Sequence, residues 1–142
     1  MKTAFCFLLI VCAFLSACSK KEVMKPSEGL EVKIVVASGW CGYVKTIVLN
    51  KNQTSKDLRG NTCQRSSVNT VTATDEKAFQ KLNTYLLKLN LFDRKIQECS
   101  RCSDGVDYML TINDGTQVIE HSIGFENKET GMAEFIAFME AL

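Results

Sequence analysis

The sequence predicts an α+β domain built on an antiparallel sheet of about four strands, in the order strand, strand, helix, strand, strand, helix (ββαββα), with both helices packed on one sheet face. Three observations point there. Apolar residues alternate from Leu30 to Val36 and again from Val106 to Ile112, which is the period of a half-buried strand. Glycine-bearing turns follow each of these runs closely enough to demand an antiparallel return. Phe79, Leu82, Leu86 and Leu89, and later Met132, Phe135, Ile136 and Met139, recur at three- and four-residue intervals, which is the period of a helix with one buried stripe.

Taken in order, Val32, Ile34 and Val36 point one way while Glu31 and Lys33 point the other. Ser38-Gly39-Trp40-Cys41-Gly42 breaks the alternation, and Tyr43 to Leu49 resumes it with β-branched residues, so the two runs make a hairpin with a two-glycine turn. Residues 50–74 are polar, are punctuated by Gly60, and contain only Val68 to Thr72 as a strand-like piece, so they read as a long excursion. Thr74 or Asp75 can cap the helix that opens at Glu76, where acids suit the positive end of the dipole. A cysteine-bearing loop from Asp93 to Gly105 leads to the second hairpin. Counting outward from Asp114-Gly115 as its two-residue turn pairs residue 112 with 117, 110 with 119 and 108 with 121. That register sets His121 opposite Tyr108, on the sheet side of Ile119 and Ile123. A terminal helix follows Gly124.

The N-terminus has a different character. Lys2 precedes a compact apolar run from Ala4 to Leu15, and Ser16 and Ala17 stand before Cys18. The run is shorter than the roughly 20 apolar residues of a spanning helix, so it reads as a secretory signal. Leu15-Ser16-Ala17-Cys18 resembles the lipobox of bacterial lipoproteins, whose cysteine is acylated and becomes the new N-terminus. That resemblance implies lipidated Cys18, a bilayer as the first partner, and a place in the bacterial cell envelope, with the outer membrane preferred. The organisation is then signal peptide 1–17, lipidated tether 18–29 and one domain over 30–142. Ser19 to Gly29 is polar and holds the only proline, as a spacer does. The 17 basic and 16 acidic residues are interspersed, and cleavage removes Lys2 and no acid. No clustered basic surface points to nucleic acid.

Seven cysteines divide into groups. Cys6 and Cys12 leave with the signal, and Cys18 takes the lipid. Cys41, Cys63, Cys99 and Cys102 remain, an even number in an oxidising compartment, which favours two disulfides in one of three connectivities. Cys99 with Cys102 and Cys41 with Cys63 is the preferred pairing. A thiol-disulfide redox protein is the alternative, because Cys99-Ser100-Arg101-Cys102 is a C-x-x-C motif whose arginine favours a thiolate. The motif follows a helix and precedes an antiparallel hairpin, whereas thioredoxin-type chemistry places its first cysteine at a helix start. Cys41 and Cys63 are not a close-spaced couple, so zinc is not expected. His121 is the only histidine and Ser122 beside it points to the opposite face, so no catalytic triad assembles. Asp104-Gly105 and Asp114-Gly115 are turn formers, and Asp104, Asp107 and Asp114 lack the spacing of a calcium loop. No catalytic residue, metal or cofactor is expected. Trp40, the single tryptophan, sits at a hairpin tip, either as an anchor for a partner or as a cap on the sheet.

The run Ala37 to Gly42, a helix ending in Leu89-Asn90-Leu91-Phe92, the run Ser103 to Ile112 with its Asp114-Gly115 turn, and the terminal amphipathic helix together resemble the emfourin-like proteins, small bacterial inhibitors of thermolysin-type metalloproteases. The likeness covers Val32 to Leu142. It implies the α+β fold and, as activity, protease inhibition through protein binding, with no inhibitory residue carried over. The chain departs from that pattern in its lipid anchor, its four domain cysteines and the stretch from Asn50 to Thr72. The expectation is therefore a membrane-anchored, non-catalytic protein-binding module, with a redox protein or a structural envelope component as alternatives.

Overall fold

A computed structural model describes residues 28–39, 42–59, 67–99 and 105–142. Its sheet has six strands, not about four: β1 (Glu31–Ser38), β2 (Val44–Asn50), β3 (Gln53–Arg59), β4 (Ser67–Ala73), β5 (Val106–Asn113) and β6 (Val118–Gly124). Helix α1 (Glu76–Lys88) follows β4 and helix α2 (Met132–Ala141) follows β6, so the order is ββββαββα rather than ββαββα. All strands pair antiparallel, in the spatial order β4-β3-β2-β1-β5-β6. The long excursion expected over residues 50–74 is the β3–β4 hairpin. The sequence does not announce it because β3 reads Gln-Thr-Ser-Lys-Asp-Leu-Arg and buries only Thr54, so it has no apolar alternation.

Period-two geometry sends the even residues of β1, the odd residues of β2 and the even residues of β5 to one face. Val32, Ile34, Val36, Ile47, Leu49, Leu110 and Ile112 are buried there with Phe79, Leu82 and Leu86 of α1 and Phe135, Ile136 and Met139 of α2. Both helices thus share one core. The other face carries Lys33, Val35, Thr46, Val48, Met109 and Thr111, of which only Lys33 is fully exposed and none is buried.

Helix α1 begins where Asp75 accepts from the backbone N–H groups of Lys77 and Ala78 at 2.8 and 3.2 Å, the N-cap interaction. Thr74, the other expected cap, instead donates to the Asn50 carbonyl and shares a hydrogen bond with Thr54, tying the helix entry to the β2–β3 turn. The helix stops at Asn90, whose φ of 52° is left-handed. Asn90 N–H donates to the Leu87 carbonyl and Leu91 N–H to that of Leu86, a Schellman closure.

The second hairpin differs from its expected register by two residues. Asn113 pairs Val118, so the loop is Asp114 to Gln117, and Leu110 rather than Tyr108 lies opposite His121. Asp114 is the cause: its carboxylate accepts from the N–H groups of Thr116 and Gln117 and from the Thr116 hydroxyl, a network that needs four loop residues. A two-residue slip preserves the face, and His121 stays on the side of Ile123.

The two sheet edges are treated unequally. The segment after α1 runs along β6: Ser122 N–H donates to the Ile96 carbonyl, and Glu98 N–H to that of Ser122. On the opposite edge all seven residues of β4 are exposed, and no described strand pairs its outer side. The sheet also has two distinct ends. The chain enters at the end marked by Glu31, Asn50, Gln53, Ala73 and Asn113, with Gly29 against the β5–β6 turn. The far end is marked by Ala37, Val44, Arg59, Ser67 and Gly124.

Candidate functional site

At the far end, the helix face of the sheet continues past the last turn of α2. One row across the sheet is set by register: Ile123, Tyr108, Val36, Lys45, Leu58 and Val68 lie side by side on β6, β5, β1, β2, β3 and β4. The first three are buried beneath the core, Lys45 is half-buried, and Leu58 and Val68 stand 38% and 63% exposed. Tyr43, on the same face one step farther out on β2, is 43% exposed. The helices cover the sheet as far as β2, so β3 and β4 prolong an apolar row that nothing described lies over. A single exposed valine is ordinary. Leu58 and Val68, neighbours on adjoining strands, with Tyr43 one step away, form a small group of exposed apolar side chains.

A notch of about 280 Å³ opens at the inner end of this ledge, lined by Val36, Ser38, Tyr43, Lys45, Val106 and Glu140. Its floor is held by polar contacts from α2. Tyr108 Oη donates to Glu140 Oε1 at 2.5 Å. Lys45 Nζ donates to the Glu140 carbonyl at 2.9 Å, which satisfies a free carbonyl at the negative end of the helix. Burial, with the Glu140 hydrogen bond and charge added, raises the Tyr108 phenol above its ordinary range, so it stays a donor. Burial and the neighbouring Lys56 charge lower the Lys45 ammonium, against the pull of Glu140. The turn at the notch is closed by Ser38 N–H donating to the Tyr43 carbonyl. A Cβ on Gly42 would lie 1.9 Å from Ser38 Oγ and 2.9 Å from Ser38 Cβ, so a larger residue there would force the turn to shift.

At the notch the Lys45 ammonium and the Tyr108 hydroxyl are both occupied by the end of α2, and the exposed apolar side chains of Tyr43, Leu58 and Val68 lie outward from them. A larger groove of about 450 Å³ lies on the other face among Lys33, Val35, Met109, Thr111, Glu120 and Ser122, with charges of both signs.

The residues singled out from the sequence are distributed as follows. Cys18, Trp40, Cys41, Cys63, Cys102 and Asp104 lie outside the described residues. Cys99 is disulfide-bonded; it is the sole described cysteine, so no pair can be drawn among the described residues. It is exposed and follows Glu98, whose carboxylate accepts from Gly124 N–H and from Asn127 Nδ2, each at 2.7 Å. Cys99 has no regular secondary structure. His121 is 3% exposed, with Nδ1 accepting from Ile96 N–H at 3.2 Å and Nε2 within 2.9 Å of the Leu91 carbonyl. Both ring nitrogens are consumed by the strap that covers β6. Desolvation, with the charges of Arg94 and Lys95, lowers its pKa. Asp107 is buried on β5 and Asp114 shapes its turn, and no group of three metal-ligating side chains occurs among the described residues. The ledge itself was missed in the sequence. Tyr43, Leu58 and Val68 belong to one surface only if residues 53–59 form a strand, and that strand carries almost no apolar signal.

No protein-family model matches this chain, and no curated protein matches it.

Proposed function

We propose that this chain is a non-catalytic protein-binding module, carried on a lipid tether through Cys18 at a bacterial envelope membrane. The observation that carries the binding part is the ledge of Tyr43, Leu58 and Val68 beside the open edge of β4. Such a surface supports docking because its desolvation is favourable at roughly 25 cal/mol per Å² of apolar area, and because the adjoining edge has no pairing strand among the described residues. The tether part rests on the sequence pattern around Cys18. A thermolysin-type metalloprotease, the partner class implied by the emfourin-like resemblance, is the first partner to assay.

The test is capture of partners from native envelopes by the full chain, against the Leu58→Ser/Val68→Ser double variant. Loss of a specific partner by about 2 kcal/mol or more, a hot-spot amount, with little change in melting temperature, is the expected result. Undiminished capture by the variant, or no specific partner for the parent chain, would overturn the reading.

A further inference from the structure

We infer that β4 receives an extended, acidic segment of the partner as a seventh strand of the sheet, an inference that rests on the protein-binding reading and specifies its mode. The edge itself is the first argument. Native sheets blunt exposed edges with charges, prolines, bulges or covering segments. Here β6 has such a cover in residues 96–98, whereas β4 reads Ser-Val-Asn-Thr-Val-Thr-Ala, has no charge and no proline, and keeps an unbroken register with β3 to Ala73. Among the described residues one edge is covered and the other is left in the state in which a strand can add.

Charge decides what kind of strand. On the helix face, Lys56 of β3 stands beside Thr70 of β4, and Lys45 is close enough for the two ammonium groups to disfavour one another. Neither lysine enters an ion pair among the described residues. A strand added outside β4 lies about 10 Å from β3, two interstrand spacings, and the flexible four-carbon stem of Lys56 can reach a carboxylate across Thr70. The neighbouring position along the row faces Val68 and Leu58, which calls for an apolar side chain. The expected segment therefore alternates apolar and acidic residues on the helix face; on the other face Val71 is exposed, and the charges of Asp57 and Arg59 on β3 are paired with one another.

The probe is a fluorescein-labelled heptapeptide, blocked at both ends, that alternates serine or threonine with valine, glutamate and valine. A second peptide has lysine in place of the glutamate. Anisotropy is read against the purified full chain in detergent micelles, followed by amide hydrogen exchange over residues 67–73. The expected result is at least tenfold tighter binding of the glutamate peptide, weakening with salt, at least tenfold slower exchange of alternate β4 amides, and inverted peptide preference in Lys56→Glu. Lys56 is part-exposed, so that change is compatible with the fold. Equal binding of the two peptides, no inversion, or unchanged β4 exchange overturns the inference. So does self-association of the free chain that Val68→Lys abolishes, which would assign the edge to a second copy. If envelope capture still depends on Leu58 and Val68 while the peptide arms fail, only the strand mode falls. If that dependence fails too, the protein-binding reading falls with it.

Discussion

His121 shows how a single side chain can be fully engaged without being reactive. Ile96 N–H points at Nδ1, so that nitrogen must be the acceptor, and the proton must sit on Nε2 to meet the Leu91 carbonyl. A second proton would bring two donors face to face in a buried site. The folded chain therefore holds His121 below its ordinary pKa of 6.5, and the unfolded chain binds the extra proton first. Stability from this group is intact above about pH 6.5 and falls as the pH drops below it. Denaturation at stepped pH should show that acid slope in the parent chain and a flatter one in His121→Asn, and ¹⁵N spectra should report the Nε2–H tautomer throughout the neutral range. Asp114 has the opposite chemistry and the same sign. Its three turn donors depress its carboxyl from 3.8 to about 2. Its contribution is present above about pH 4 and is lost as the pH falls towards 2. Asp114→Ala should melt below the parent at pH 6, and the gap between the two should close as the pH approaches 2.

At the scale of elements, the helix ends are the sensitive points. Asn90 closes α1 in a left-handed conformation that costs an L-residue strain and glycine none. Asn90→Gly should therefore raise stability by up to about 1 kcal/mol in urea melts, the relief of strain exceeding the added unfolded-state entropy of glycine. Lys45 acts at the other helix: Lys45→Met keeps the stem and removes the ammonium that meets the last carbonyls of α2, and should cost about 1 kcal/mol. Elements with an apolar period were legible from the sequence alone. β1, β2, β5 and both helices lie within two or three residues of where alternation and helical spacing place them, because burial on one face imposes the pattern. β3 was not legible, and the strand-like piece Val68 to Thr72 marked β4 without showing its pairing, because both strands lie beyond the helices and bury almost nothing. Their pairing is written in backbone hydrogen bonds, which leave no trace in side-chain polarity. The β5–β6 register was missed for a related reason: the sequence shows a turn at Asp114-Gly115, but the loop length depends on what the Asp114 carboxylate accepts.

Across the whole molecule, stability should be graded along the sheet. Strands β1, β5 and β6 lie under the helices or the strap, while the β3–β4 hairpin is attached through β2 alone and has little apolar burial of its own. Amide exchange should be slowest at Ile34, Leu110 and Ile112, and at least a hundredfold faster in β4, by local opening that leaves the core intact. Uniform protection across all six strands would contradict this. The candidate site was the least legible part of the sequence for the same reason that it is open: it is made of residues that the core does not use, so no core pattern announces them.

The last turn of α2 stops beside Lys45 and Tyr43, at the far end of the sheet from Glu31, where β1 begins. Any polypeptide continued past Leu142, such as an affinity handle or a fluorescent fusion, would leave the domain at the mouth of the ledge and compete with the docking proposed there. A handle grafted into the Asp114–Gln117 loop would project from the entry end instead. Two otherwise equivalent reagents would then give opposite answers in a capture experiment, and the discrepancy between them would itself map the docking surface.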